Sequence, residues 1–167
     1  MTTYQDIIQY CNAETQKLTN RENSAQNVIP IKLVFNSIAK LKLTLFDNAG
    51  SAYPLEENSD IWYCVDNDYN AGTPHYIEGH NRMVLNDDFT SKTAGKLSLS
   101  INVTGERLGT ELIIAGEASI TAYLAVWYRP IASNTWGCLA HVPVTIYNPY
   151  ATMTALDTDY SSSSSSE

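Results

Sequence analysis

The sequence predicts an all-β protein: an antiparallel β-sandwich, jelly-roll or Ig-like, carrying an N-terminal α-helical arm. Three observations predict it. From Ala118 to Tyr147 the chain reads as two long strands joined by a turn, with Ile120, Ala122, Leu124, Val126 and Tyr128 on one face of the first and Val142, Val144 and Ile146 alternating in the second. Between Lys96 and Thr104 the alternation is stricter still, Leu97, Leu99, Ile101 and Val103 opposing Lys96, Ser98, Ser100 and Asn102. Strand-like runs recur along the chain, separated by clusters of Gly, Asn, Asp and Pro, without the regular succession of helices that a parallel α/β sheet requires.

Taken in order, the chain begins differently. Tyr4, Ile7, Ile8, Cys11 and Leu18 fall at helical spacing, with Thr3 and Asp6 placed as a cap, so the spacing predicts an amphipathic helix. Its apolar stripe is thin, and a helix of that length must pack on something. These five residues are therefore interface candidates, either against the sheet or against a neighbouring subunit. The polar stretch from Thr19 to Asn27 reads as a linker, which sets a helical arm over 1–27 apart from a sandwich domain over 28–150. Val28 to Phe35 and Ile38 to Phe46 are strands. Pro30 suits an edge or a strand start because it has no N–H for the ladder, and Leu41, Leu43 and Leu45 point inward while Lys40, Lys42 and Thr44 face water. Asp47 to Gly50 turns the chain. Ile61 to Val65 is a third strong strand, Asn81 to Leu85 a weaker one, and Glu111 to Ala115 a short one before the long hairpin. Residues 151–167 form a Ser-rich tail that buries too little apolar surface to order itself.

Composition removes several classes of function. The 167 residues carry a formal net charge of −8, with ten Lys and Arg scattered along the chain, which argues against binding nucleic acid. There is no apolar run of about 18 residues to span a membrane, and the polar start lacks the layout of a secretion signal, so synthesis in a cytoplasm is expected. Cys11, Cys64 and Cys138 are odd in number and widely spaced, and read as reduced, mostly buried thiols.

Candidate chemistry is sparse. Asp66, Asp68 and Asn70 have the spacing of the first ligands of a calcium loop, but Ala71 stands where glycine is needed and Ile77 where the closing acid should be. His75, Glu78 and His80 fall in a stretch read as a Pro/Gly-rich loop, which does not fix them toward one ion. Cys138 and His141, three apart in a strand, are expected on opposite faces. Asp87 with Asp88, and Glu56 with Glu57, are adjacent loop carboxylates expected to be solvated rather than opposed across a cleft. The expectation is no enzyme, no catalytic residue and no cofactor.

Aromatics are the remaining signal, with eleven Tyr, three Trp and three Phe. Trp62 and Trp127 fall opposite the better apolar stripes and Trp136 lies in a loop, so these three are the ligand candidates. Such side chains suit subunit interfaces or sugar platforms. The run from Leu41 to Leu55, in which a strand ends in Asp47-Asn-Ala-Gly50, followed by Ile61 to Asp68, resembles the β-sandwich modules of tailed-bacteriophage virion proteins of the head-fibre and baseplate-adaptor type. The resemblance covers residues 28 to 70 and brings no catalytic residues with it. It implies a non-enzymatic virion structural protein, made in the host cytoplasm, that forms homo-oligomers and attaches to other virion proteins of a capsid, tail or baseplate. The alternative is a carbohydrate-binding module that holds a glycan on its exposed Trp and Tyr.

Overall fold

A computed structural model describes residues 4–35, 37–66, 76–81, 84–103 and 119–147, with backbone alone at 4, 5, 66 and 76–81. Nine strands appear among them: β1 Tyr4–Asn12, β2 Lys17–Thr19, β3 Ile31–Val34, β4 Ile38–Phe46, β5 Asp60–Asp66, β6 Tyr76–Asn81, β7 Lys96–Asn102, β8 Ser119–Arg129 and β9 Gly137–Tyr147. They form two sheets, sheet A in the order β2-β1-β4-β7 and sheet B in the order β3-β9-β8-β5-β6. Both sheets are mixed. β1 runs parallel to β4 and β3 parallel to β9, while the other pairings are antiparallel. The all-β expectation holds, but the purely antiparallel arrangement does not.

One core joins the sheets. Sheet A contributes Cys11, Ala39, Leu41, Leu43, Leu45, Leu97, Leu99 and Ile101, and sheet B contributes Ile31, Leu33, Ile61, Tyr63, Val65, Leu124, Val126, Val142, Val144 and Ile146. β4 and β7 bury the leucines that their alternation singles out, and the long hairpin β8–β9 pairs from Ser119 with Tyr147 to Tyr128 with Gly137. The Tyr63 hydroxyl of sheet B accepts a hydrogen bond from the Ser100 N–H of sheet A at 3.2 Å. That bond occupies a donor on β7, an edge strand.

The N-terminal helix is corrected to two strands. Ile7, Gln9 and Cys11 point inward opposite Leu41, Leu43 and Leu45, whereas Ile8 faces out opposite Lys42 and is 61% exposed. Gln9 hides the alternation, because it is a polar residue at an inward position; its amide donates to the Ile29 carbonyl. Asn12 ends β1 by accepting from the N–H groups of Glu14 and Thr15, at 2.9 and 3.0 Å, in a turn built on its own side chain. Leu18 follows in β2, opposite Cys11.

The stretch 19–27 is tied down rather than free to reach away. Asn20 Oδ1 accepts from Glu22 and Ser24, and Asn23 donates to the Asp47 carbonyl at 2.9 Å. Pro30 directly precedes β3, an edge strand, as expected. Pro143 sits inside β9 at no cost to the ladder. His141 sends its N–H away from β8 to the Gln16 carbonyl, so the missing donor two residues on also points away from β8, and β3 begins pairing only at Val144.

Two further expectations change. The weak strand expected at 81–85 lies earlier, at Tyr76–Asn81, so Glu78 and His80 are in a strand rather than a loop; their side chains lie outside the described residues, as does all of His75. Leu85 instead donates to the Ser98 carbonyl at 2.8 Å, covering the edge of β7. The short strand expected at 111–115 and the tail at 151–167 also lie outside the described residues.

Asp87 is not simply solvated. It clamps the 84–90 loop onto the outer face of sheet A, accepting from Ser98 at 2.8 Å, from the Phe89 and Thr90 N–H groups at 3.1 and 3.0 Å, and pairing with Lys40 at 3.2 Å. Phe89 lies between the ammonium groups of Lys42 and Lys96, 5.9 and 5.7 Å from its ring centroid. Burial by itself would raise the Asp87 pKa, but the hydrogen bonds from Ser98, Lys40 and Thr90 outweigh it and hold the carboxyl well below the usual range. The carboxylate therefore adds stability above the unfolded-state value of about 3.9 and loses it as pH falls from there toward the lower folded value. Asp87→Asn is expected to cost about 1–3 kcal/mol at pH 7, as for a hydrogen bond to a charged group. Urea titrations should show the variant and the parent converging as the pH drops below about 4; a constant gap down to pH 2 would refute this account.

Candidate functional site

The outer face of sheet B gathers the aromatic candidates. Trp62 on β5 stands directly opposite Trp127 on β8, and one row away on the same face Asp60 stands opposite Arg129. Arg129 forms an ion pair with Asp60 and lies over the Trp136 ring, 4.8 Å from its centroid. Sequence reasoning picked all three tryptophans but not the charged pair that joins them. The pair was hidden because Asp60 and Arg129 are far apart in the chain and meet only through the β5–β8 register.

Beside this pair the turn after β8 forms an open cleft of about 360 Å³, bordered by Asn58, Asp60, Arg129, Ser133 and Asn134. Its wall is fixed by local bonds. Ser133 donates through its N–H to the Pro130 carbonyl at 3.1 Å, the Ile131 N–H donates to Glu56 at 2.7 Å, and Ala132 holds a left-handed backbone at φ 63°.

A second concavity lies between β2 and β9. It has a volume of about 430 Å³ and is lined by Lys17, Leu18, Val28, Pro30, His141, Val142 and Pro143. Next to it Ile29 is 72% exposed. Of the five interface candidates, Leu18 lines this groove and Ile8 lies on the outer face of sheet A, while Ile7 and Cys11 belong to the core side. Tyr4 is in β1 with only its backbone described.

Among the described residues, the other candidates are not brought together into a site. Asp66 ends β5, while Asp68 and Asn70 lie outside the described residues. Among the described residues no three His, Cys, Asp or Glu side chains group to hold a metal ion. Cys138 and His141 share the outer face, contrary to expectation. A bulge places both Leu139 and Ala140 inward, so Cys138 pairs with Trp127 and His141 with Ala125. The cysteines are free, and burial pushes the Cys11 thiol up to about 12, with Cys138 adding to the shift. Cys138 is also raised, again chiefly by burial. A thiol that stays protonated at neutral pH is a poor nucleophile.

The chain matches no known family model and no curated protein. Among solved structures it is similar to the N-terminal domain of phage TP901-1 ORF48, at 12% identity and a TM-score of 0.45, over 86% of this chain and 98% of that one. No helix among the described residues is long and apolar enough to cross a membrane.

Proposed function

We propose that this chain is a non-enzymatic structural module of a tailed-phage virion, a β-sandwich that associates with copies of itself and with other virion proteins of the head, tail or baseplate. The observation that carries the assembly part is the apolar lip at the β2/β3 edge. Val28, Ile29 and Pro30 project beside a groove walled by Leu18, Val142 and Pro143, and Ile29 is the most exposed of the large hydrophobic side chains described. Covering one such side chain is worth about 1.5–3 kcal/mol, so a partner gains there what the isolated chain leaves in water. Sheet edges are where natural β proteins join other chains or defend against doing so. The virion part is supported by the likeness of the Leu41 to Asp68 segment to phage β-sandwich modules.

Light scattering at several concentrations tests the assembly. The full chain is expected to form a discrete oligomer, and Ile29→Glu to shift it toward monomer by at least tenfold in dissociation constant without changing its melting temperature. An oligomer indifferent to Ile29→Glu would place the interface elsewhere, and a parent protein that stays monomeric at every concentration would remove self-association from the reading.

A further inference from the structure

We propose that the groove between β2 and β9 takes an extended segment of a partner protein, which adds as an antiparallel strand to the open edge of β2 and carries an acidic residue directly after the apolar residue that enters the groove. The proposal rests on the reading of the β2/β3 edge as an assembly surface and names what that surface holds.

Backbone parity shows that the edge is open. The Ala13 N–H donates to the Phe46 carbonyl, so the odd residues of β1 turn their backbone groups to β4 and the even residues turn theirs to β2. Tyr10 and Asn12 therefore bond Thr19 and Lys17, and Leu18 between them points its N–H and C=O away from β1. Neither group has a partner among the described residues. Across the gap the His141 N–H reaches the Gln16 carbonyl at 3.0 Å, which ties β9 to the residue just before β2 and leaves the groove open at Leu18. Two other edges are defended. β7 is covered by Leu85 and by the Tyr63 hydroxyl, and on β3 the Val34 carbonyl accepts from the Ser37 hydroxyl at 2.6 Å while Lys32 stands exposed. A free donor and acceptor on one extended residue are the groups that an incoming strand bonds.

The walls and the charge define the segment. In an antiparallel addition Leu18 exchanges both its bonds with a single residue, whose side chain points to the same face as that of Leu18. That side chain enters a groove of about 430 Å³ walled by Leu18, Val28, Pro30, Val142 and Pro143, and so must be apolar. The next residue falls opposite Lys17, which is exposed and has no ion pair among the described residues. Lys17 and His141 border the groove and, among the described residues, no Asp or Glu does, although the chain as a whole carries −8. An acidic side chain is thus favoured at this point against the sign of the overall field.

The probe is the capped peptide acetyl-Ser-Thr-Ile-Asp-Ser-amide, titrated into the full chain and followed by amide NMR. It is expected to bind saturably in the millimolar range, moving the Leu18 amide signal and slowing its exchange with solvent. Methylating the peptide nitrogen of the isoleucine removes the donor to the Leu18 carbonyl and is expected to weaken binding at least tenfold. Replacing the peptide's aspartate by lysine should weaken it severalfold at low salt, and Lys17→Glu in the protein, a change at an exposed position, should reverse that preference. No saturable change at Leu18 overturns the proposal, as does equal binding of the methylated peptide. Protection of the Leu18 amide that grows with protein concentration alone would assign the edge to a second copy and overturn it too. Dependence of the oligomer on Ile29 is read separately by light scattering, so the assembly reading and this one can fail independently.

Discussion

Deleting residues 1–27 is expected to unfold the chain rather than to leave a smaller folded module. β1 pairs with β4 over all nine of its residues and lies between β2 and β4, so its loss turns β4 into an exposed edge. Leu41, Leu43 and Leu45, all buried, would then lose the cover of Ile7, Gln9 and Cys11. Hydrogen bonds that cross from this segment to the rest would go too: Gln9 to Ile29, Ala13 to Phe46, and His141 to Gln16. Each buried group left unpaired costs about 1–3 kcal/mol. Against a typical total of about 5–15 kcal/mol, these losses together with the opened core are decisive. Circular dichroism and amide NMR dispersion read the outcome. A truncated chain that melts cooperatively within about 5 °C of the parent, the shift expected from about 1 kcal/mol, would show that β1 is dispensable.

Gly95→Ala is the single substitution expected to do most damage for the fewest atoms. Gly95 follows a 3-10 turn at Lys92–Ala94 with φ at 70°, a conformation that costs an L-residue about 1–2 kcal/mol. An added Cβ would lie 2.6 Å from the Tyr53 carbonyl oxygen and 3.0 Å from that of Leu45, both of them backbone atoms. Those atoms cannot step aside. Leu45 bonds to the Gly95 carbonyl at 2.8 Å and Tyr53 to Leu45 at 3.0 Å, so the end of β4, the returning chain and the start of β7 meet at this point. Crowding of this kind adds about 1–3 kcal/mol, for a total loss of about 3 kcal/mol or more. Gly50→Ala separates the two contributions. Its φ is 83°, but the nearest atom to an added Cβ is 4.0 Å away, so only the backbone term of about 1–2 kcal/mol is expected there. Equal losses in urea denaturation of the two variants would remove the steric argument.

The strands most legible in the sequence are those whose inward positions are apolar without exception. β4, β7, β8 and most of β9 show their faces to a period of two, and the structure buries those faces. β1 was unreadable for a definite reason. Its inward row is Ile7, Gln9 and Cys11, so the polar middle breaks the alternation, and the outward Ile8 then completes a false helical spacing with Tyr4, Ile7 and Cys11. The partner that makes Gln9 tolerable, the Ile29 carbonyl, is supplied by tertiary structure and leaves no local mark. Direction was equally hidden, since nothing within a strand says whether its neighbour runs parallel. The aromatic members of the candidate site were visible as tryptophans at outward positions. The Asp60–Arg129 pair and the facing of Cys138 depend on register and on the bulge at Leu139, and a single shift in either would move every side chain to the other face.

The parallel pairing of β3 with β9 also sets a timetable for the nascent chain. Ile31 is among the first core residues made, yet its ladder partner Val144 is among the last of the described strands. Leu33 and Ile31 must therefore wait, with their apolar faces uncovered, until the β8–β9 hairpin has emerged to receive them. Contacts so distant in sequence are formed slowly, because loop closure must precede the gain from pairing. Until the ribosome has delivered β9, the chain carries an open edge and a half-covered core, the state in which β proteins are most prone to aggregate with their neighbours.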